Sequence, residues 1–415
     1  THCNGTPMKL KSLLAGVLVA ACAGDAALAT IVAAGLDAAT YSYVGPIRRM
    51  PRAAALSPAE QAGLEQLCER VTQGPAVREL FQARFGAPVS DRYDAAETRR
   101  LWRVMARVPE AHVEHGQVSR FHEIVEGAQG EFDPQSKAIN MQDGLIADTK
   151  GTNVNDRSIP DAHGNSDPTA LMTVAEMMTA FELTEAQIKE RIAAGTIEKV
   201  GDKLRLAPVN VPDRFTAVAL HEIGHAVDDR TGQTSFTHGV AGWKQFGDAD
   251  NEAWARELGG WDDVAAADKR QILDAWQLWT NSSRTAGRPE RDIVELVKGP
   301  HPLKDAKYAH VGIVALALGG FGESANPYVA NGRAYTMNGF YQQRYSVPIA
   351  TMHAAPTAYA MTAPGEYFAE CYMTYYLTFD GSPASAKDKG KLLAPWIKRW
   401  FDEHIDALGE SPKRR

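Results

Sequence analysis

Hydrophobic residues spaced three and four positions apart predict helices along much of the chain. One predicted helix begins at the serine cap and proline of Ser57-Pro58, and two further amphipathic stretches cover about 75–85 and 94–107. Capping boxes at 173–176 and 184–187, each a threonine followed three residues later by Glu or Gln, predict the starts of two more. The chain is therefore expected to be mainly helical.

Short alternating stretches predict fewer β-strands. Residues 117–125 and 137–141 alternate between apolar and polar side chains, and the Gly, Asp and Pro within 130–134 predict a turn before the second stretch. Residues 197–200 and 204–206 flank a Gly-Asp-Lys turn and predict a small hairpin. The expected fold class is α+β, mainly helical with small sheets.

The first thirty residues have the pattern of an export signal. We expect residues 1–7 to be an upstream extension, because the basic start and short apolar run Leu13–Ala23 follow Met8. That run falls short of the about 20 residues that a membrane span needs. Cys22 ends a bacterial lipobox pattern, whereas Ala27–Ala29 fits ordinary signal cleavage. We therefore expect an exported protein, either a cell-surface or outer-membrane lipoprotein or a secreted one, whose membrane contact is limited to a lipid anchor.

Composition and charge exclude some classes of protein. Hydrophobic residues make up 44% and charged residues 23%, which is typical of a globular chain. The net charge of −7 opposes a broad basic surface, so no nucleic-acid partner is expected. Beyond the signal, Cys68 and Cys371 remain. A disulfide between them and two separate buried thiols both stay open.

The segment His221-Glu222-Ile223-Gly224-His225 is an H-E-x-x-H motif. On a helix, positions i and i+4 lie on one face about 5–6 Å apart, so two imidazoles can bind one zinc ion. The carboxylate of Glu222 then lies beside the metal, where it can accept a proton from water. Pro212-Asp213 and Thr231-Gly232 predict the start and end of that helix.

A catalytic zinc site of this type needs a third protein ligand, and Glu366 is the main candidate. Glu366 and Glu370 are again four residues apart, so both face one way on a predicted helix with aromatic side chains on its other faces. One carboxylate can bind the metal while the other accepts the free ring N–H of a ligating histidine.

These two segments resemble the zinc metallopeptidase domain of anthrax lethal factor and related bacterial toxin-like proteins. The likeness is carried by Leu220–Asp229, by the Glu366–Glu370 block and by Tyr359, seven residues ahead of Glu366. Gly130–Met141 is similar to the family's edge strand beside the cleft. The resemblance implies a zincin fold, a Zn2+ cofactor and six site residues: His221, His225 and Glu366 as zinc ligands, Glu222 as general base, Tyr359 as oxyanion donor and Glu370 behind a ligand.

The spacing departs from the family. His225 and Glu366 are 141 residues apart, which predicts an insertion at about 235–355 within a catalytic domain of 98–415. The signal at 1–29 and a tether with N-terminal helices at 30–97 would precede that domain. The insertion carries five tryptophans and is expected to be largely helical over about 251–280. It could cap the site, form part of a substrate groove or be a packing subdomain.

The insertion also contains a rival third ligand. Asn251-Glu252 is similar to the pair that supplies the ligand in thermolysin-like enzymes, although it lies 27 residues after His225 and lacks the usual downstream Ser-Asp. The favoured expectation is an exported zinc endopeptidase acting on a peptide or protein. The alternatives are a catalytically silent zincin-fold lipoprotein that serves as a binding module, and a zinc amidase of cell-wall crosslinks. The oligomeric state stays open.

Overall fold

The structure is a computed structural model of the chain. It describes residues 65–113, 118–124, 129–142, 145, 152–155, 171–211, 213–231, 235–245, 251–282, 293–318, 327–338 and 343–409. The predicted export signal, the start of the first predicted helix and the predicted upstream extension lie outside these residues. Within the described part, no helix is both long enough and apolar enough to cross a membrane.

The fold class is α+β and mainly helical, as the sequence predicts. The chain divides into two compact units, one formed by Thr1–Asp148 with Leu408–Arg415 and the other by Thr149–Ala407. Cys68 in the first unit and Cys371 in the second are both free, buried thiols.

The first unit combines helices with a three-stranded sheet. Residues 65–70 are helical, and the further helices are Gly74–Phe85, Ala95–Met105 and Glu110–Val113. The strands are β1 (Arg120–Ile124), β2 (Gly130–Asp133) and β3 (Ala138–Gln142), in the order β1-β3-β2. β1 runs parallel to β3, and β2 runs antiparallel to it.

The turn predicted at 130–134 is wrong. Gly130–Asp133 is strand β2, and the turn lies at 134–137. The physical cause is Asp133, whose side chain accepts a hydrogen bond from the backbone N–H of Gln135 at 2.9 Å. This Asx turn begins at the last residue of the strand and leaves Gly130 inside it.

The second unit carries the remaining elements. Both capping boxes are confirmed, because Thr173 and Thr184 each accept a hydrogen bond from the backbone three residues on. The hairpin is also confirmed, as β5 (Ile197–Val200) with β6 (Lys203–Leu206). Strand β4 (Thr152–Val154) pairs with β7 (Val209–Val211). The helices are Val174–Phe181, Glu185–Ala193, Arg214–Thr231, Asn251–Leu258, Ala266–Ser282, Ile293–Leu296, Gly312–Leu318, Ile349–His353, Pro364–Leu377 and Pro395–His404.

The segment 235–355 combines helices with an antiparallel sheet. The strands are β8 (Lys244–Gln245), β9 (Tyr328–Ala330), β10 (Arg333–Asn338) and β11 (Gln343–Pro348), in the order β8-β11-β10-β9. The predicted helical stretch at 251–280 is two helices separated by residues 259–265, which begin with Gly259-Gly260 at positive φ and contain the 3-10 turn Trp261–Asp263. Four tryptophans, none more than 4% exposed, form one core cluster with residues of β10: Trp254, Trp261, Trp276 and Trp279. Indoles buried to this degree pack a core and do not line a groove.

Candidate metal centre

The two histidines of the motif lie on one helix, Arg214–Thr231. Asp213 begins it, because its carboxylate accepts hydrogen bonds from the backbone N–H and the hydroxyl of Thr216, at 3.0 and 2.5 Å. The helix ends at Thr231, as predicted. Its apolar face is buried, and the imidazoles of His221 and His225 project together from one side.

The two glutamates lie on the helix Pro364–Leu377, which begins at a proline in its first turn, where the lost N–H costs nothing. Most of its other side chains are buried, and five of them are aromatic: Tyr367, Phe368, Tyr372, Tyr375 and Tyr376. Glu366 and Glu370 are one turn apart, and this helix packs against the motif helix with both carboxylates facing the imidazoles.

Close approach of the two helices depends on Gly224. A Cβ atom at that position would lie 2.9 Å from Cα of Ala369, 3.1 Å from Cβ of Tyr372 and 3.3 Å from the carbonyl oxygen of Ala369. These are shorter than ordinary van der Waals contacts, so glycine lets the helix backbones approach. The crossing falls between the two histidines on one helix and next to Glu370 on the other.

Three ligand atoms meet at this crossing. Nε2 of His221 and Nε2 of His225 are 3.0 Å apart, and Oε2 of Glu366 is 3.1 Å from each. Within the described residues, this is the one group of three or more His, Cys, Asp or Glu side chains whose ligand atoms lie this close together. The side chains of His221, His225 and Glu366 keep 10%, 22% and 16% of their surface exposed, so the group is not sealed from solvent.

The donor set fits a zinc ion. Ligand atoms about 2.0–2.1 Å from a tetrahedral ion are about 3.3 Å apart. The triangle formed by Nε2 of His221, Nε2 of His225 and Oε2 of Glu366 is therefore only slightly tighter than required. Nδ1 of His221 lies 2.7 Å from Oε1 of Glu370, and a carboxylate at that position favours the tautomer of the neutral imidazole that carries its proton on Nδ1. Its Nε2 then presents a lone pair toward the carboxylate of Glu366. A cation or an added proton must lie between them to offset the repulsion.

The shifts in the pKa values of His221, His225 and Glu366 also indicate that this group of side chains favours positive charge. Burial by itself lowers the pKa of His221, yet hydrogen bonds with Glu366 and Glu370 outweigh it and raise that pKa well above its ordinary value. For His225, burial lowers the pKa while the negative charge of Glu366 raises it, and the net direction is upward. Burial raises the pKa of Glu366, but the charge of His225 and hydrogen bonds from both imidazoles hold it far below its usual range.

Glu222 and Tyr359 flank the triangle without belonging to it. Glu222 is 4% exposed, and its negative charge acts on both imidazoles. The ring of Tyr359 lies in a 3-10 turn, Tyr359–Met361, with its centroid 5.8 Å from that of His221. A buried carboxylate and a phenol ring therefore lie near the imidazoles.

The rival carboxylate does not reach the imidazoles. Glu252 lies on the helix Asn251–Leu258, about half exposed, and pairs with Arg256 at 2.6 Å. Two other histidines, His112 and His122, lie in the first unit, the former fully buried and the latter on β1. Their neighbour His115 is outside the described residues.

Two residues that shape the site are not indicated by any sequence motif. Gly224 occupies a variable position of the H-E-x-x-H motif. The sequence shows that this residue is small but does not show that Ala369 packs against it. Thr357 donates a hydrogen bond from Oγ1 to Oε2 of Glu370 at 2.7 Å. Nothing in its spacing of 13 residues from Glu370 indicates such a contact.

The comparisons with known proteins identify no relative. No family model, no curated protein and no solved structure matches the chain.

Proposed function

We propose that this chain is a zinc-dependent endopeptidase with a zincin-type catalytic domain, similar to that of anthrax lethal factor. The observation that carries the proposal is the convergence of His221, His225 and Glu366, with ligand atoms 3.0–3.1 Å apart. Three protein ligands and a solvent-exposed remainder are typical of catalytic zinc, whereas structural zinc has four protein ligands.

The residues around the triangle divide the chemistry among them. Zinc, when bound, supplies Lewis acidity, which lowers the pKa of water toward about 7 and polarises a peptide carbonyl. The carboxylate of Glu222 accepts the proton of the attacking water and passes it to the leaving amine. The phenol of Tyr359 donates a hydrogen bond to the oxyanion that develops on the carbonyl. Glu370 holds the tautomer of His221 in which Nε2 is free to bind.

The test separates metal binding from catalysis. Purified chain is expected to hold one zinc ion and to cleave members of a broad peptide library. Glu222→Gln should hold the same zinc and lose cleavage, while Glu252→Gln, which removes an exposed carboxylate outside the triangle, should keep both. Undiminished cleavage by Glu222→Gln would refute the mechanism.

The same digest distinguishes the other classes. Zinc-loaded protein that cleaves no peptide would indicate a binding module. Cleavage of purified cell wall without cleavage of protein would indicate an amidase. Wild-type protein that holds no zinc would contradict all three.

Export is a separate part of the proposal. It rests on the basic and apolar pattern after Met8 and on the lipobox ending at Cys22. Labelled fatty acid should enter the wild-type chain and not Cys22→Ser if the protein is a lipoprotein. Chain in the growth medium that carries no label would indicate free secretion, and unprocessed chain retained inside the cell would contradict export.

A further inference from the structure

Thr357 contacts Glu370, which in turn contacts His221. Its hydroxyl donates to Oε2 of Glu370 at 2.7 Å, while Oε1 of the same carboxylate lies 2.7 Å from Nδ1 of His221. Both Thr357 and Glu370 are less than a tenth exposed. Because water has little access, the hydrogen bond restricts rotation of the carboxylate.

The hydroxyl of Thr357 also has a second hydrogen-bond partner. Oγ1 of Thr357 accepts a hydrogen bond from the backbone N–H of Ala360 at 3.2 Å. Ala360 lies in the 3-10 turn that carries Tyr359, and the hydroxyl of Thr362 closes the turn by donating to the carbonyl oxygen of Tyr359 at 2.9 Å. One side chain therefore connects the support of a ligand with the turn that holds the phenol.

The backbone next to Thr357 is fixed as well. The N–H of Asn155, directly after β4, donates to the carbonyl oxygen of Pro356 at 2.8 Å. Strand β4 is itself held by pairing with β7. Thr357 is thus attached to a paired strand rather than to a free loop, and it can transmit that rigidity to its partners.

We propose that Thr357 is a positioning residue: its hydroxyl orients Glu370, and through it His221, and at the same time locks the turn that carries Tyr359. The inference rests on the proposed zinc function and goes beyond it, since it assigns the ligand support to a residue outside the motifs. Loss of the hydroxyl should weaken zinc binding and also slow catalysis in the zinc-loaded protein.

Two variants at the position test this. Thr357→Val keeps the shape of the side chain and removes the hydroxyl, and Thr357→Ser keeps the hydroxyl and removes a methyl group. We expect Thr357→Val to weaken zinc binding roughly tenfold in competition with a chromogenic chelator, as outer-shell partners do. It should also lower kcat at saturating zinc, and Thr357→Ser should restore most of both.

The matched control is Thr374→Val, one turn beyond Glu370 on the same helix. Thr374 is fully buried, and within the described part of the chain its hydroxyl has no hydrogen-bond partner. Its loss should leave zinc affinity unchanged. Zinc titrations are carried out well below the unfolding midpoint of each variant, so that a purely structural role of Thr357 lowers the midpoint without lowering affinity.

A double-mutant cycle then tests the route. If Thr357 acts through Glu370, Thr357→Val should cost no further zinc affinity in a Glu370→Ala background. Additive losses, or wild-type affinity in Thr357→Val, would overturn the inference while leaving the proposed function intact. Wild-type protein without zinc would instead refute the proposed function itself.

Discussion

Replacement of Gly224 by alanine tests whether the helix crossing assembles the proposed metal centre. The new Cβ would lie 2.9 Å from Cα of Ala369, whereas ordinary contacts begin at 3.4 Å. The obstructing atoms are backbone and a Cβ, which cannot rotate away. The two helices must therefore separate by about 0.5 Å, the difference between these distances, or the motif helix must tilt.

The expected magnitudes differ for stability and for metal binding. Overpacking costs about 1–3 kcal/mol, and the better helix propensity of alanine offsets about 1 kcal/mol of it. Unfolding stability should then fall by roughly 0–2 kcal/mol. Ligand distances at a metal site tolerate only about 0.2 Å, so a shift of Glu366 against the imidazoles should lower zinc affinity at least tenfold, about 1.4 kcal/mol.

Zinc affinity is therefore the decisive assay, measured by chelator competition beside an unfolding midpoint. Gly239→Ala is the matched control, because a Cβ on that exposed glycine meets no atom within 4 Å. Wild-type zinc affinity in Gly224→Ala would show that the crossing does not set the triangle, and a comparable loss in Gly239→Ala would show that the effect is not specific.

Two further predictions concern charge. Glu366→Gln should weaken zinc binding by roughly a hundredfold or more, since even outer-shell partners cost 10–100-fold, while Glu252→Gln should not; the reverse result would make Glu252 the ligand. Because the pKa of His221 is raised in the fold, its protonation stabilises the metal-free protein. That contribution is fully present below about pH 6.5, the ordinary pKa of histidine, and is lost as the pH rises through the raised pKa. Zinc competes with the same protons. The increase in unfolding temperature on adding zinc should therefore grow from about pH 6 to pH 8. Calorimetry that shows a constant or shrinking increase over this range would contradict the prediction.

Local patterns predicted the local structure well. The capping boxes at Thr173 and Thr184 and the helix around His221 each depend on contacts within four residues, which the sequence displays directly. The turn near Gly130 was misplaced for a related reason. Gly130 permits a turn without requiring one, and the side chain of Asp133 decided where the strand ended.

Sequence spacing alone determined that His221 and His225 share one helix face and that Glu366 and Glu370 share another, because 3.6 residues per turn leaves no other arrangement. Which carboxylate meets the imidazoles was decided only in three dimensions. A separation of 141 residues along the chain does not indicate how close two residues lie in space. The contact depends on Gly224, which lies opposite Ala369 and lets the two helix backbones approach. The hydroxyl of Thr357 belongs to the same category, since its partners become neighbours only after the helices have packed.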